Sequence, residues 1–200
     1  LGDVYKRQLA NMASTLDTTS NGRLELGIGA GWNEEECEAY GIELGSMEER
    51  FDRFEEGMEV VTQLLKQDRS TFRGNWYSLQ DAMNNPKGPQ NPLPICIGGG
   101  GLRRTIPAVA KYAHHWNYGT QTMSLEDFKM RHKVFLKACE KEERDPDDIL
   151  ISTMLRYDGD AQATIQQARE YEEAGVKLGI VSVPKDKSPE IVEEIAEILA

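Results

Sequence analysis

Cysteine is scarce in this chain. Cys37, Cys96 and Cys139 are the three among 200 residues, far apart and never in a Cys-x-x-Cys pair. That argues against a disulfide framework or a thiolate zinc site, and the three are read as buried thiols. Basic charge is also short. Lys and Arg number 23 against 34 Asp and Glu, a net charge of −11. Nucleic acid and anionic membranes are therefore poor partners, and the balance is that of an ordinary soluble cytoplasmic protein. No apolar run approaches the roughly 18 residues of a membrane span, and no signal-peptide pattern opens the stretch in hand. Repeats, low-complexity tracts and linkers are missing too. What remains suffices for one domain with a sizeable core, or for most of a larger one.

One stretch stands out from this background, Pro94-Ile-Cys-Ile-Gly-Gly-Gly-Gly-Leu-Arg-Arg-Thr105. Ile95, Cys96 and Ile97 read as a short strand buried on both faces. The glycines that follow let the backbone turn sharply and bring bare N–H groups close to a ligand. Arg103 and Arg104 then precede a predicted helix with Pro107 in its first turn. Four amides, two guanidinium groups and a helix N-terminus are thus expected to converge on one anion, phosphate above all. The plainer reading is a βα corner that merely turns tightly. Two adjacent arginines in an acidic chain favour the anion site.

Around this stretch helices and strands alternate. Apolar spacing predicts a helix over Leu9 to Thr19, stopped by Asn21-Gly22, and a strand from Arg23 to Ile28. The strand runs into a second glycine corner, Gly27-Ile-Gly-Ala-Gly31-Trp32, which is no dinucleotide fingerprint because Trp32 stands where the third glycine would fall. Asn33, with Glu36 three residues on, caps a short helix ended by Gly41. Ser46 and Glu49 form a capping box for a long helix whose core face is Met47, Phe51, Phe54, Met58, Val61 and Leu65. Thr71 to Leu79 predicts a hairpin about Gly74-Asn75. Prolines 86, 89, 92 and 94 make the next segment an extended crossing, either a lid or a connector.

Further on, a helix over Arg104 to Ala113, a strand at His115-Trp116-Asn117 and a helix from Ser124, with Asp127 as its box partner, are expected. That last helix carries Leu125, Phe128, Phe135 and Cys139 on one side. A strand from Ile149 to Tyr157, a helix from Ala161 to Ala174 ended by Gly175, and a strand from Leu178 to Val183 follow. Ser188-Pro189 starts a final helix with Ile191, Ile195 and Ile198. Five strands alternating with helices predict an α/β fold with a parallel sheet and right-handed crossovers.

Leu16-Asp17, Gly22-Arg23-Leu24, Gly27 to Glu34, Arg50-Phe-Asp-Arg53, Phe72-Arg-Gly-Asn-Trp-Tyr77, Pro94 to Gly101 and Trp116-Asn117 occur in this order. Together they resemble the luciferase-like monooxygenase superfamily, and more narrowly its deazaflavin-dependent oxidoreductases, which use coenzyme F420. The resemblance runs from Leu9 to Ala200. It implies a (β/α)8 TIM barrel of about 300 residues, with a flavin or deazaflavin at its C-terminal mouth. This chain would hold only the last five βα units, with an insertion hairpin and loop at about 70–94. Residues 1–8 are expected to be non-native, since Asp3-Val-Tyr-Lys-Arg-Gln8 matches one reading frame of a transposon end used in library preparation.

Carried over by position, the resemblance implies that Gly98, Gly99, Gly100 and Gly101 hold the cofactor phosphate, supported by Arg103, Arg104 and Thr105. Gly29, Ala30, Gly31 and Trp32 would lie along the cofactor, and Trp116 and Asn117 would border the substrate pocket. His114 and His115 are expected to be structural or surface groups, and no metal is implied. Some members place a proton-donating glutamate where this chain has Trp32. The catalytic candidates are then Glu34 and Glu36, the usual acid/base group belonging to the absent first strands. Three functions stay open: hydride transfer between coenzyme F420 and a small organic substrate, an FMN-dependent monooxygenase of the same fold, or a non-catalytic flavin-binding protein or inactive fragment. The open arc of strands is expected to expose an apolar face. A homodimer is compatible with this, because exposed helices of such barrels commonly pair.

Overall fold

Local capping fixes where the helices begin and end, and the strands between them sort by hydrophobic alternation. The computed structural model describes residues 2–119, 124–157, 159–183 and 190–199. The chain divides into two units, Leu1–Cys96 and Ile97–Ala200.

In the first unit, helix α1 (Gly2–Thr19) stops where Asn21 and Gly22 turn left-handed, at φ 55° and 76°. Strand β1 (Leu26–Ile28) follows, and the Leu26 N–H donates to Pro94 O at 2.9 Å, just before β4 (Ile95–Gly98). Asn33 caps helix α2 (Glu34–Ala39) by accepting from the Glu36 N–H at 3.1 Å. Helix α3 (Met47–Lys66) opens with the expected Ser46–Glu49 capping box. Its core face differs from the expected one. Phe54, Gly57, Met58, Val60, Val61 and Leu64 are buried, while Met47 is 60% exposed and Leu65 lies at the margin. Ala10, Val60, Leu64 and Leu79 form the cluster that decides this, because α1 and the hairpin meet α3 on the row through Val60 and Leu64.

The hairpin pairs β2 (Ser70–Arg73) with β3 (Ser78–Ala82). Its turn closes on a carboxylate: the N–H groups of Asn75, Trp76 and Tyr77 donate to Glu56 at 2.8, 2.8 and 3.1 Å. A Cβ on Gly74 would stand 2.3 Å from that carboxylate, so glycine is required there. The crossing that follows is tethered to α1 and α3. Lys87 Nζ donates to the carbonyls of Leu64, Gln67 and Asn84 at 2.9, 2.8 and 2.8 Å, satisfying the C-terminal end of α3. The buried Asp17 carboxylate accepts from Gln90 N and Nε2 at 3.0 and 2.7 Å, and Asn84 Nδ2 donates to Ser14 Oγ at 2.9 Å.

In the second unit the hydrogen-bonded order is β4, β5 (His115–Tyr118), β6 (Leu150–Arg156) and β7 (Leu178–Ser182), with β5, β6 and β7 parallel. Helices α4 (Thr105–Tyr112), α5 (Leu125–Lys141), α6 (Ala161–Glu173) and α7 (Glu190–Leu199) alternate with these strands. The Ser124–Asp127 capping box opens α5, and Gly175, at φ 109°, ends α6. The start expected for the last helix at Ser188-Pro189 lies outside the described residues. Strand alternation puts Trp116 and Tyr118 on one face, where Trp116 stacks on Phe128 and Phe135 with centroids 6.0 and 5.1 Å away. The other face carries a hydrogen-bonded trio: Ser152 Oγ lies 2.6 Å from His115 Nε2 and accepts from Asn117 Nδ2 at 2.7 Å. Beyond the trio this face is apolar and open, with Leu150, Leu178 and Ile180 at 36%, 41% and 39% exposure. His115 is thus buried and engaged by Ser152. Among the thiols Cys139 is buried, whereas Cys37 and Cys96 are half-buried, contrary to expectation. No helix among the described residues is long and apolar enough to cross a membrane.

Two measurements check these packing arguments. Glu56→Ala leaves three turn N–H groups without their shared acceptor and is expected to cost about 1–2 kcal/mol, read from denaturant melts. His132 lies between the rings of Phe128 and Phe135, and burial lowers its pKa below the usual histidine value. The unfolded chain then takes up the proton first, so stability falls as pH drops through about 6.5 and below. His132→Phe is expected to flatten that part of the pH–stability curve.

Candidate functional site: a braced glycine loop

The loop after β4 is shaped by what lies beneath it. Gly98 is the last residue of β4 and is exposed, and Gly99 donates its N–H to Asn117 O at 3.0 Å. Gly99 sits at φ 106°, a conformation that side chains resist. Its carbonyl accepts from the indole N–H of Trp116 at 2.7 Å, and the next carbonyl, on Gly100, accepts from the Arg131 guanidinium on α5. A trans peptide holds C=O and N–H in one plane, pointing in opposite directions. With the Gly99 and Gly100 carbonyls held by these two side chains, the N–H groups of Gly100 and Gly101 point away from them. Neither N–H meets an acceptor among the described residues. Two successive amides without an acceptor thus stand beside the start of α4, donors of the kind an anion can use.

The support is close-packed. A Cβ on Gly100 would lie 3.1 Å from both Arg131 Cδ and Tyr118 Cε2, and one on Gly101 would lie 2.8 Å from Thr105 Oγ1. Thr105 is the buried first residue of α4. Burial raises the pKa of the Tyr118 hydroxyl against the opposing pull of Arg131 beside it. Helix α4 has no side-chain cap: Arg104, at the N-cap, makes no cap hydrogen bond.

The expected site residues fall as follows. Of the four glycine amides, the loop offers those of Gly100 and Gly101. Arg103 is exposed beside them, and Arg104 is half-buried and engaged. Trp116 has no exposed surface and braces the loop from below, while Asn117 is partly exposed on the open sheet face and tied to Ser152. In the first unit, Gly29, Ala30, Gly31 and Trp32 follow β1, and Trp32 is 83% exposed. Arg50 Nη1 donates to Gly31 O at 3.3 Å, and Gly31 is left-handed at φ 85°. Glu34 and Glu36 are exposed in the first turn of α2, where negative charge suits the helix dipole. Arg131 was not foreseen. It lies 31 residues from Gly100, and its helix reads as an ordinary charged face.

Trp116→Phe keeps the stacked ring and removes the N–H donor. Arg131→Met keeps the alkyl packing and removes the guanidinium. Each is expected to speed amide hydrogen exchange at Gly99, whose N–H is bonded to Asn117 O in the braced loop, by about tenfold, with the melting transition still cooperative.

Comparison with known proteins supplies the context. A family model described as luciferase-like monooxygenase matches residues 8–176. An F420-dependent glucose-6-phosphate dehydrogenase of Amycolatopsis mediterranei is 29% identical over 197 residues, covering 96% of this chain and 57% of the relative. The chain thus spans little more than half the length of that curated protein. Among solved structures, the coenzyme F420-dependent tetrahydromethanopterin reductase of Methanopyrus kandleri aligns with a TM-score of 0.80 at 14% identity, over 96% of this chain and 77% of that one. An F420-dependent secondary alcohol dehydrogenase, solved with an F420-acetone adduct, aligns with a TM-score of 0.76 at 17% identity, over 88% and 68%. At these identities the structures speak to the fold, a TIM barrel of the luciferase-like type. On the span of the family match, and on a fold shared with these barrels, the chain belongs to the luciferase-like monooxygenase family.

Proposed function

We propose that this chain is the cofactor-holding part of an oxidoreductase that moves a hydride between coenzyme F420 and a small organic substrate. One observation carries the reading: the carbonyls of Gly99 and Gly100 are held by Trp116 and Arg131, which leaves the N–H groups of Gly100 and Gly101 free at the start of α4. These residues fit a phosphate. The loop has no room for a Cβ at Gly100 or Gly101, its two amides are unused, and Arg103 adds an exposed cation nearby in sequence. The F420-linked names of the relatives favour a deazaflavin as the owner of that phosphate.

In this reading Gly100, Gly101 and Thr105 hold the phosphate, with Arg103 and Arg104 in support. Gly29, Ala30, Gly31 and Trp32 lie along the cofactor, the exposed indole of Trp32 being available to cover it. Asn117 borders the substrate, with Trp116 behind it. When bound, the deazaflavin supplies the hydride chemistry, and the protein supplies position, charge and exclusion of water. Glu34 and Glu36 remain the acid candidates on this chain. The reading sets the protein in the cytoplasm and allows a homodimer through exposed barrel helices.

Fluorescence titration with coenzyme F420 and with FMN tests the proposal. Saturable F420 binding is expected, weakened about tenfold in Gly100→Ala, which crowds Arg131 and Tyr118. Binding of FMN with none of F420 would move the assignment to a flavin monooxygenase. A folded chain that takes neither would leave the non-catalytic reading.

A further inference from the structure

Strand β7 leaves a gap on its helix-facing side. Alternation puts Leu178 and Ile180 on the open face of the sheet and Gly179 on the other, where a Cβ would stand 3.1 Å from Leu155 Cδ1. Gly179 pairs with Thr153 of β6 and fills none of this space, and α6 presents only the small Ala168 to it. The result is a cavity of about 260 Å³ in the second unit, walled by Leu155, Ile165 and Val176, each at most 5% exposed. Tyr171 forms a further wall, held edge-on to Phe128 with centroids 5.7 Å apart. Protein interiors close up voids larger than a water molecule, and an apolar one favours an apolar occupant over water.

Three charged side chains stand at the exposed rim, Arg169, Glu172 and Lys177. Lys177 is already answered, its Nζ donating to Asp147 Oδ1 at 3.0 Å. Among the described residues Arg169 and Glu172 make no hydrogen bond or ion pair, not even with each other although they lie three apart on α6. One unanswered charge of each sign therefore flanks the cavity. A lone carboxylate would meet Glu172 and a lone ammonium would meet Arg169, whereas a head group carrying both charges suits the pair. We propose that this cavity binds a small zwitterion with an aliphatic side chain, a ligand of the α-amino acid class. Its carboxylate faces Arg169, its ammonium faces Glu172, and its side chain lies against Leu155, Ile165 and Val176. The aliphatic chain supplies the affinity and the exposed rim supplies the selection. The cavity opens where β7 begins and shares no lining residue with the glycine loop or with its braces Trp116 and Arg131, so the inference goes beyond the cofactor reading.

Methyl resonances of Leu155, Ile165 and Val176 in the full chain read the site directly. L-Leucine is expected to shift them saturably. 4-Methylpentanoate, which lacks the ammonium, and isopentylamine, which lacks the carboxylate, are expected to bind about threefold more weakly or worse, and glycine, which lacks the side chain, to give no response. Arg169→Gln and Glu172→Gln, both at exposed helix positions, are each expected to weaken leucine about threefold. Ala168→Leu fills the cavity and is expected to weaken it about tenfold or more; if that variant does not fold, the two rim variants carry the test. Absence of a saturable response to leucine overturns the site. Binding of either single-charged analogue as tight as leucine, or leucine affinity unchanged in both rim variants or in folded Ala168→Leu, overturns the assignment of the ligand class to this cavity. The coenzyme F420 titration of the same samples is read separately, so failure here and failure of the cofactor reading are told apart.

Discussion

A hydrogen bond from the Trp116 indole to the Gly99 carbonyl ties the hydrophobic core of the second unit to the glycine loop. Trp116 is fully buried among Phe128, Phe135 and Tyr118, and its indole N–H finds its partner in the loop carbonyl. A buried donor left unmatched is expensive, so the ring's position in the core is coupled to the loop carbonyl above it. Aromatic packing thereby sets the orientation of a peptide plane, and the plane sets the direction of an amide. Arg131 repeats the device one residue on, with its stem against Gly100 and its guanidinium on the carbonyl. A loop of four glycines would otherwise be among the most mobile segments of the chain; held from below, it presents fixed donors, as a preorganised site requires.

The chain carries 23 Lys and Arg against 34 Asp and Glu, so its overall field repels polyanions. The donors without an acceptor at the glycine loop are backbone amides, which carry no side-chain entropy and no formal charge.

What could be read from the sequence was whatever is local. The capping boxes at Ser46–Glu49 and Ser124–Asp127, the left-handed stops at Asn21-Gly22 and Gly175, and the strand–glycine–helix order at Ile95 to Thr105 all depend on neighbours within a turn. The core face of α3 came out partly wrong, since periodicity counted from Met47 cannot know which row the hairpin and α1 will cover. Leu64 is central and Leu65 marginal for that reason. The glycine loop was visible, but its bracing was not. Arg131 acts over 31 residues, and nothing in a strand of alternating residues says which face Trp116 will take. The proline-rich crossing read as lid or connector because prolines report only on what a segment cannot form, whereas Asp17 on α1 holds it and its own Lys87 ties it to the end of α3.

The hairpin turn adds a chemical consequence of its own. Three consecutive amides at Asn75, Trp76 and Tyr77 make a concavity at least as rich in donors as the glycine loop, yet the carboxylate of Glu56 already fills it. Any oxyanion arriving from solution must displace a tethered rival there, whose effective concentration no free ion can match. A concavity filled by the chain's own acid in this way is a structural tie of the hairpin to α3.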